Sequence, residues 1–166
     1  MIDTRTPFDH YFPHAKERLP SFIYQTILAL LRTLAHEKRI NTSISSHKEL
    51  VNSDFIEVAF DSLGVSYTVS DKDRARIPST GAVVIVANHP LGGLDALALL
   101  KLVTDVRSDV KIVANAILNS IDPIRSMLIP VDTFSSRTPK ASVYAIQETL
   151  KNENALIIFP SGEVSR

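Results

Sequence analysis

A chain of 166 residues with 45% apolar side chains can bury one core and has the size of a single domain. Eighteen Lys and Arg balance eighteen Asp and Glu, so no global field draws the chain to nucleic acid, and any anion site has to be built locally. The absence of cysteine removes disulfides, a thiolate nucleophile and Cys-based zinc sites. Residues 1–18 mix acids, bases, histidines and prolines without the basic-then-apolar order of a secretory signal, and read as mature sequence.

The most apolar run, 22–31, contains Tyr24, Gln25 and Thr26 and stops at Arg32. It is short of the roughly 20 apolar residues of a spanning helix, so no transmembrane helix is predicted. Pro20 suits a first helical turn, and Ile23, Ile27, Leu30, Leu31 and Leu34 then recur at helical spacing until the polar stretch 36–39. A second helix is expected over about 48–63, with Leu50, Val51, Phe55, Val58, Ala59 and Leu63 apolar and Gly64 as its stop. Residues 1–64 are thus expected to form a helical hairpin, in one unit with a core over 65–166.

From there the period changes. Val65, Tyr67 and Val69 alternate with polar residues as in a strand, and a charged loop, 71–76, leads through Pro78 and Gly81. The run 82–87 is uninterruptedly apolar and valine-rich, which predicts a buried strand. A turn over 88–94 and a helix over 95–104 follow. Further strands fit 111–114, 127–131 and 155–159, with a helix from Pro139 to near Lys151 between the last two. Strands alternating with helices predict an α/β fold, a largely parallel sheet flanked by helices.

The segment Asn88-His89-Pro90-Leu91-Gly92-Gly93-Leu94-Asp95 lies where a strand ends and a helix begins, the place where open α/β sheets carry their sites. A histidine there can take a proton from an alcohol near neutral pH, and a carboxylate on its second nitrogen would fix the tautomer and stabilise the imidazolium. The structural alternative is that His89 ends the strand and Asp95 is the N-cap of the next helix. Arg137-Thr138-Pro139-Lys140 reads either as a phosphate site at a helix start, with Arg137 as the charged contact, or as an ordinary capped helix. Asn115, after the 111–114 strand, either faces the same crevice or forms a turn. His10, His14, His36 and His47 show no ligand spacing with carboxylates, and no metal site is expected.

The Asn88 to Asp95 segment resembles the signature of the lysophospholipid (glycerolipid) acyltransferase family. Two further blocks are similar to that family's: Ile157-Ile158-Phe159-Pro160-Ser161-Gly162-Glu163-Val164-Ser165, and Leu128-Ile129-Pro130-Val131-Asp132 followed by Arg137. The family usually has four residues between His and Asp, whereas here there are five, 90–94. That spacing and the Gly-Glu-Val-Ser ending are most similar to a subgroup often labelled haemolysins. Ser161 and Val164 stand at the family's glutamate and arginine positions, so Glu163 and Arg166 are the candidates to substitute for them.

The resemblance implies transfer of a fatty acyl group from acyl-CoA or acyl carrier protein to a hydroxyl of a lysophospholipid or related lipid. His89 would be the general base and Asp95 its orienter. Asn88, Gly92, Gly93, Asn115, Arg137, Pro160, Ser161, Gly162 and Glu163 would line the substrate site, and no further cofactor is implied. It also implies a cytoplasmic enzyme peripheral on the membrane, and chain beyond Arg166, since family members continue with a further strand block. Two rivals stand beside it: a lipid hydrolase, disfavoured because no Gly-x-Ser-x-Gly elbow occurs, and a non-catalytic lipid- or phosphate-binding module.

Overall fold

The computed structural model describes residues 3–34, 37–47, 49–131 and 139–160. Before the sheet come α1 (Arg5–Tyr11), α2 (Ala15–Arg18), α3 (Ser21–Leu34), α4 (Glu37–Ser46) and α5 (Asn52–Leu63). Among the described residues five helices thus stand where a two-helix hairpin is expected. The helix expected from about residue 48 starts only at Asn52, and α4 occupies a stretch with no clear apolar period. Gly64 ends α5 in the left-handed conformation, with φ 66°. On α3 the buried side chains are Tyr24 and Leu28, whereas Leu30, counted in the expected stripe, is exposed.

The alternating segment 65–70 forms no strand. Val65 and Tyr67 instead pack against the core, so the alternation reports burial of one side of a segment that has no strand partner among the described residues. Within the expected charged loop, α6 (Asp71–Arg74) forms a single turn, capped by Ser70, which accepts from the Asp73 amide.

The sheet has four parallel strands, β1 (Val83–Val86), β2 (Val110–Asn115), β3 (Leu128–Val131) and β4 (Ala155–Ile158), in the order β1-β4-β2-β3. Helices α7 (Gly93–Thr104) and α8 (Lys140–Lys151) connect β1 to β2 and β3 to β4. Short 3₁₀ turns, Ala116–Ser120 and Asp122–Met127, join β2 to β3. This is the α/β architecture expected from the alternation. On one face Phe55, Ile56, Ala59 and Phe60 of α5 and Leu100 and Val103 of α7 cover Val110, Ile112, Ala155 and Ile157, and α8 packs on β3 and β4. The all-apolar β1 is an edge strand, buried on one side only: Val83 and Ile85 join the core, while Val84 and Val86 are exposed.

At the amino ends of the strands, the buried Arg107 ties three chain segments together. Its guanidinium donates to both carboxylate oxygens of Asp109 (2.7 Å each) and to the carbonyls of Pro78 (3.1 Å), Gly81 (2.9 Å) and Glu153 (2.9 Å). These segments lead into β2, β1 and β4. Five N–H donors in a fixed fork can make such a set; an ammonium cannot. The Arg107 guanidinium in turn holds the Asp109 carboxyl below its ordinary value of 3.8.

Arg107→Ala should therefore destabilise the fold by about 1–3 kcal/mol, the cost of leaving buried carbonyls without their donor, since the Asp109 carboxylate is itself partly exposed. Because the folded Asp109 carboxyl titrates below its unfolded value, its contribution is present above that value and is lost as pH falls through the folded one. Thermal melts should show Asp109→Asn less stable than wild type at neutral pH, with the gap closing in acid below the ordinary carboxylate value. A gap that persists in acid would contradict the coupling.

Candidate active site at the carboxyl end of β1

In a parallel sheet all strand ends of one kind share an edge, so the segments after β1, β4 and β2 meet on the side opposite Arg107. Beyond β1 the ladder gains one more bond, from the Ala87 amide to the Ile158 carbonyl at 3.3 Å. The chain must then reverse into α7 within a few residues. Gly92 makes that reversal at φ 68°, ψ −128°, a conformation open mainly to glycine, and it is the N-cap of α7. Gly93 is the first helical residue, and a Cβ there would meet nothing within 4 Å.

The helix thus begins two residues before the expected Asp95, which is its third residue and not its N-cap. Its carboxylate is divided between two tasks. Oδ2 accepts from the Leu91 amide at 2.8 Å, reaching back from the first turn as the acidic half of a capping box does. Oδ1 lies 2.7 Å from Nδ1 of His89. Helix start and imidazole are therefore held by one side chain, and the five intervening residues do not separate the pair.

The two atoms that meet are withdrawn from solvent, and the side chains are about one-fifth exposed, 19% for His89 and 21% for Asp95. Their alignment misses the angular limits of a hydrogen bond, although the separation is within them. Such bonds commonly tighten only when substrate is bound. The imidazole lies against Phe159, with ring centroids 4.4 Å apart and planes at 30°. Phe159 directly follows β4, the strand beside β1, and so fixes the face of the ring while Asp95 takes one nitrogen.

Of the other expected site residues, Asn88 is exposed on the turn just before His89, and Pro160 is exposed just after Phe159. Asn115 is the last residue of β2, opposite Val131 of β3. It shares the edge, but with β4 between it and β1 it stands two strand spacings away, about 10 Å. Arg137, Ser161, Gly162 and Glu163 lie outside the described residues, as does Thr138 of the same segment as Arg137; the N-cap of α8 is Pro139. Phe159 and the Leu91 amide were not singled out by sequence reasoning. Phe159 stands in the expected 155–159 strand and in the block similar to the family's, but neither signal points to a contact with His89.

A family model described as Acyltransferase matches residues 11–166. The chain belongs to that acyltransferase family. Among curated proteins it is 26% identical over 149 residues to a lyso-glycine lipid O-acyltransferase of Phocaeicola vulgatus, covering 87% of this chain and 51% of that protein. It is 25% identical over 146 residues to the enzyme of the same name from Bacteroides thetaiotaomicron, covering 87% and 53%. The chain therefore spans about half the length of these relatives. No solved structure matches it. The match from residue 11 includes α2 to α6 as well as the strand-end turn.

Proposed function

We propose that the protein transfers a fatty acyl group from a thioester, acyl-CoA or acyl carrier protein, to a hydroxyl of a lysolipid. The observation that carries this reading is the 2.7 Å contact between His89 Nδ1 and Asp95 Oδ1 at the strand end. With that nitrogen on the carboxylate, Nε2 is the atom that accepts the acceptor's hydroxyl proton. The oxygen attacks the thioester carbonyl carbon, forming the C–O bond. Collapse of the tetrahedral intermediate breaks the C–S bond, and the imidazolium returns its proton to the leaving thiolate. Asp95 stabilises the imidazolium in between. Amides of the first turn of α7 have no intrahelical acceptor and are the candidates to hold the oxyanion, whereas the Leu91 amide, ahead of the helix, is committed to Asp95.

For the acceptor, lysophospholipid and lyso-amino-acid lipid are both in scope. The first follows from the motif resemblance, with Arg137 as its phosphate contact and the remaining motif positions (Asn88, Gly92, Gly93, Asn115, Pro160, Ser161, Gly162, Glu163) around the substrate. The second is supported by the relatives, whose name specifies a lyso-glycine lipid.

His89→Ala should lower transfer of labelled acyl groups by about 10²–10⁴-fold, the usual worth of a general base. Asp95→Asn should keep thermal stability, since an amide oxygen still accepts from Leu91, yet lose most of the rate because it cannot stabilise the imidazolium. A panel of lysophosphatidic acid, other lysophospholipids and lyso-glycine lipid identifies the acceptor. Released fatty acid in place of transferred label would make the protein a hydrolase, and neither product would make it a binding module.

We also propose that the protein works at a membrane surface. No helix among the described residues is long and apolar enough to cross a membrane. The outer side of α3, however, exposes Phe22 and Leu30. Thr26 and Thr33 of the same helix turn their hydroxyls back onto the carbonyls of Phe22 (2.8 Å) and Ala29 (2.9 Å), so their polar groups are satisfied without water. Such a face can lie in the headgroup region. Replacing Phe22 and Leu30 by Glu touches no buried side chain and should release the folded protein from anionic vesicles in a sedimentation assay; undiminished binding would refute this face.

A further inference from the structure

A groove of about 710 Å³ is lined by the last turn of α3 and one side of α4, a size within the roughly 300–1,000 Å³ usual for small-molecule sites. Its charged residues are Arg32, Lys38 and Arg39 against a single acid, Glu37. Glu37 is already engaged, accepting from the amide (2.9 Å) and the hydroxyl of Thr4 and lying 3.7 Å from Arg32 Nε. Lys38 and Arg39 have no ion-pair or hydrogen-bond partner among the described residues. In a chain whose charges cancel, two unpaired cations in one concavity make a local positive site. Thr42, Ser45 and Ser46 line the groove with them, three to seven residues further along α4 and so on the same side of the helix. Helical serines and threonines often turn their hydroxyls back onto the carbonyl four residues earlier, as Thr26 and Thr33 of α3 do. The hydroxyls of Thr42, Ser45 and Ser46 have no such partner among the described residues, which leaves them free to donate into the groove.

Resting on the membrane-surface reading above, we infer that this groove binds the headgroup of one anionic phospholipid that is not a substrate. Its phosphate lies on Lys38 and Arg39, and its oxygens accept from the hydroxyls of Thr42, Ser45 and Ser46. Cations supply the charge-assisted bonds that a phosphate forms best, and the hydroxyls add direction that charge alone lacks. The neighbouring stripe of α3 favours a lipid over a soluble phosphate. Phe22, Thr26, Leu30 and Thr33 follow one another at spacings of four, four and three residues, and so share one side of the helix. Phe22 and Leu30 are exposed, and Thr33 lines the groove, so the apolar side leads straight into the cationic end. A free phosphate would use only that end; a lipid uses both, with its acyl chains in the leaflet that α3 meets. Among the described residues none of α3 or α4 belongs to the core beneath the sheet or to the turn around His89, so this lipid holds the protein at the bilayer and takes no part in the reaction.

The test titrates the intact protein with dihexanoylphosphatidylglycerol below its micellar concentration, beside dihexanoylphosphatidylcholine and inorganic phosphate. The glycerol lipid should saturate at one per chain and bind about tenfold or more tighter than either comparison. Lys38→Gln/Arg39→Gln should weaken it by about tenfold or more, the loss of at least one charge-assisted bond. Ser45→Ala/Ser46→Ala keeps the charge and favours the helix, yet should weaken it by about threefold or more; thermal melts check that both variants are folded. Absent or unsaturable binding overturns the inference. So does unchanged affinity in the serine variant, because a diffuse field needs no hydroxyls. Inorganic phosphate bound as tightly as the lipid would assign the groove to a soluble ligand instead. Acylation of the glycerol lipid that is lost in Lys38→Gln/Arg39→Gln would make the groove the acceptor site, and also overturns it. The membrane-face reading fails separately, if Phe22→Glu/Leu30→Glu stays on vesicles, since those substitutions leave the groove residues and the soluble-lipid titration in place.

Discussion

The arrangement depends on the Arg107 guanidinium, which satisfies its donors on Asp109 and on three carbonyls at the amino ends of β1, β2 and β4. A parallel sheet has no hairpins to set its register. Register here comes from apolar pairing along short strands and from this clamp, with the Ala155 amide adding a bond to the Asp109 carbonyl at 3.1 Å. Strands of four residues drift little between their two ends. Fixing the amino edge therefore fixes the height at which β1 and β4 finish on the other edge, and with it the stacking of His89 on Phe159.

At that edge the economy lies in Asp95. A carboxylate used only as a helix cap would leave the imidazole free to turn, and one used only for the imidazole would leave the turn before α7 loose. With one oxygen on the Leu91 amide and the other at His89, the backbone geometry and the ring orientation become a single constraint. Phe159 adds a second restraint from a different strand, so the ring is fixed from two directions by residues far apart in sequence. The resulting pair is partly exposed, as a base that must meet a substrate has to be.

The strands β2, β3 and β4 and the helices α3, α7 and α8 were legible because each combines an apolar period with a recognisable stop. The helix α4 was not: Asn41, Thr42, Ser43, Ser45 and Ser46 are weak helix formers. Alternation at Val65 and Tyr67 correctly reported burial, but the same pattern serves a strand and an unpaired extended segment. For β1, apolar composition could not tell an edge from a centre, because strand order is decided by where α8 returns the chain. Strand order likewise hid Phe159, whose contact with His89 exists only because β4 inserts beside β1. For His89 and Asp95 the residue types and their turn were legible, whereas the contact was not, since six residues of separation fit either an oriented base or a plain cap.

The claim that His89 and Asp95 act as one unit is tested most directly by a double-mutant cycle on the rate of acyl transfer, comparing His89→Ala, Asp95→Asn and the two together. Side chains that serve a single proton transfer are strongly non-additive. The double variant should be no slower than His89→Ala alone, because a carboxylate with no imidazole to orient has nothing left to contribute. A double variant slowed by the product of the two single losses would show that Asp95 acts independently of His89, and would contradict the dyad.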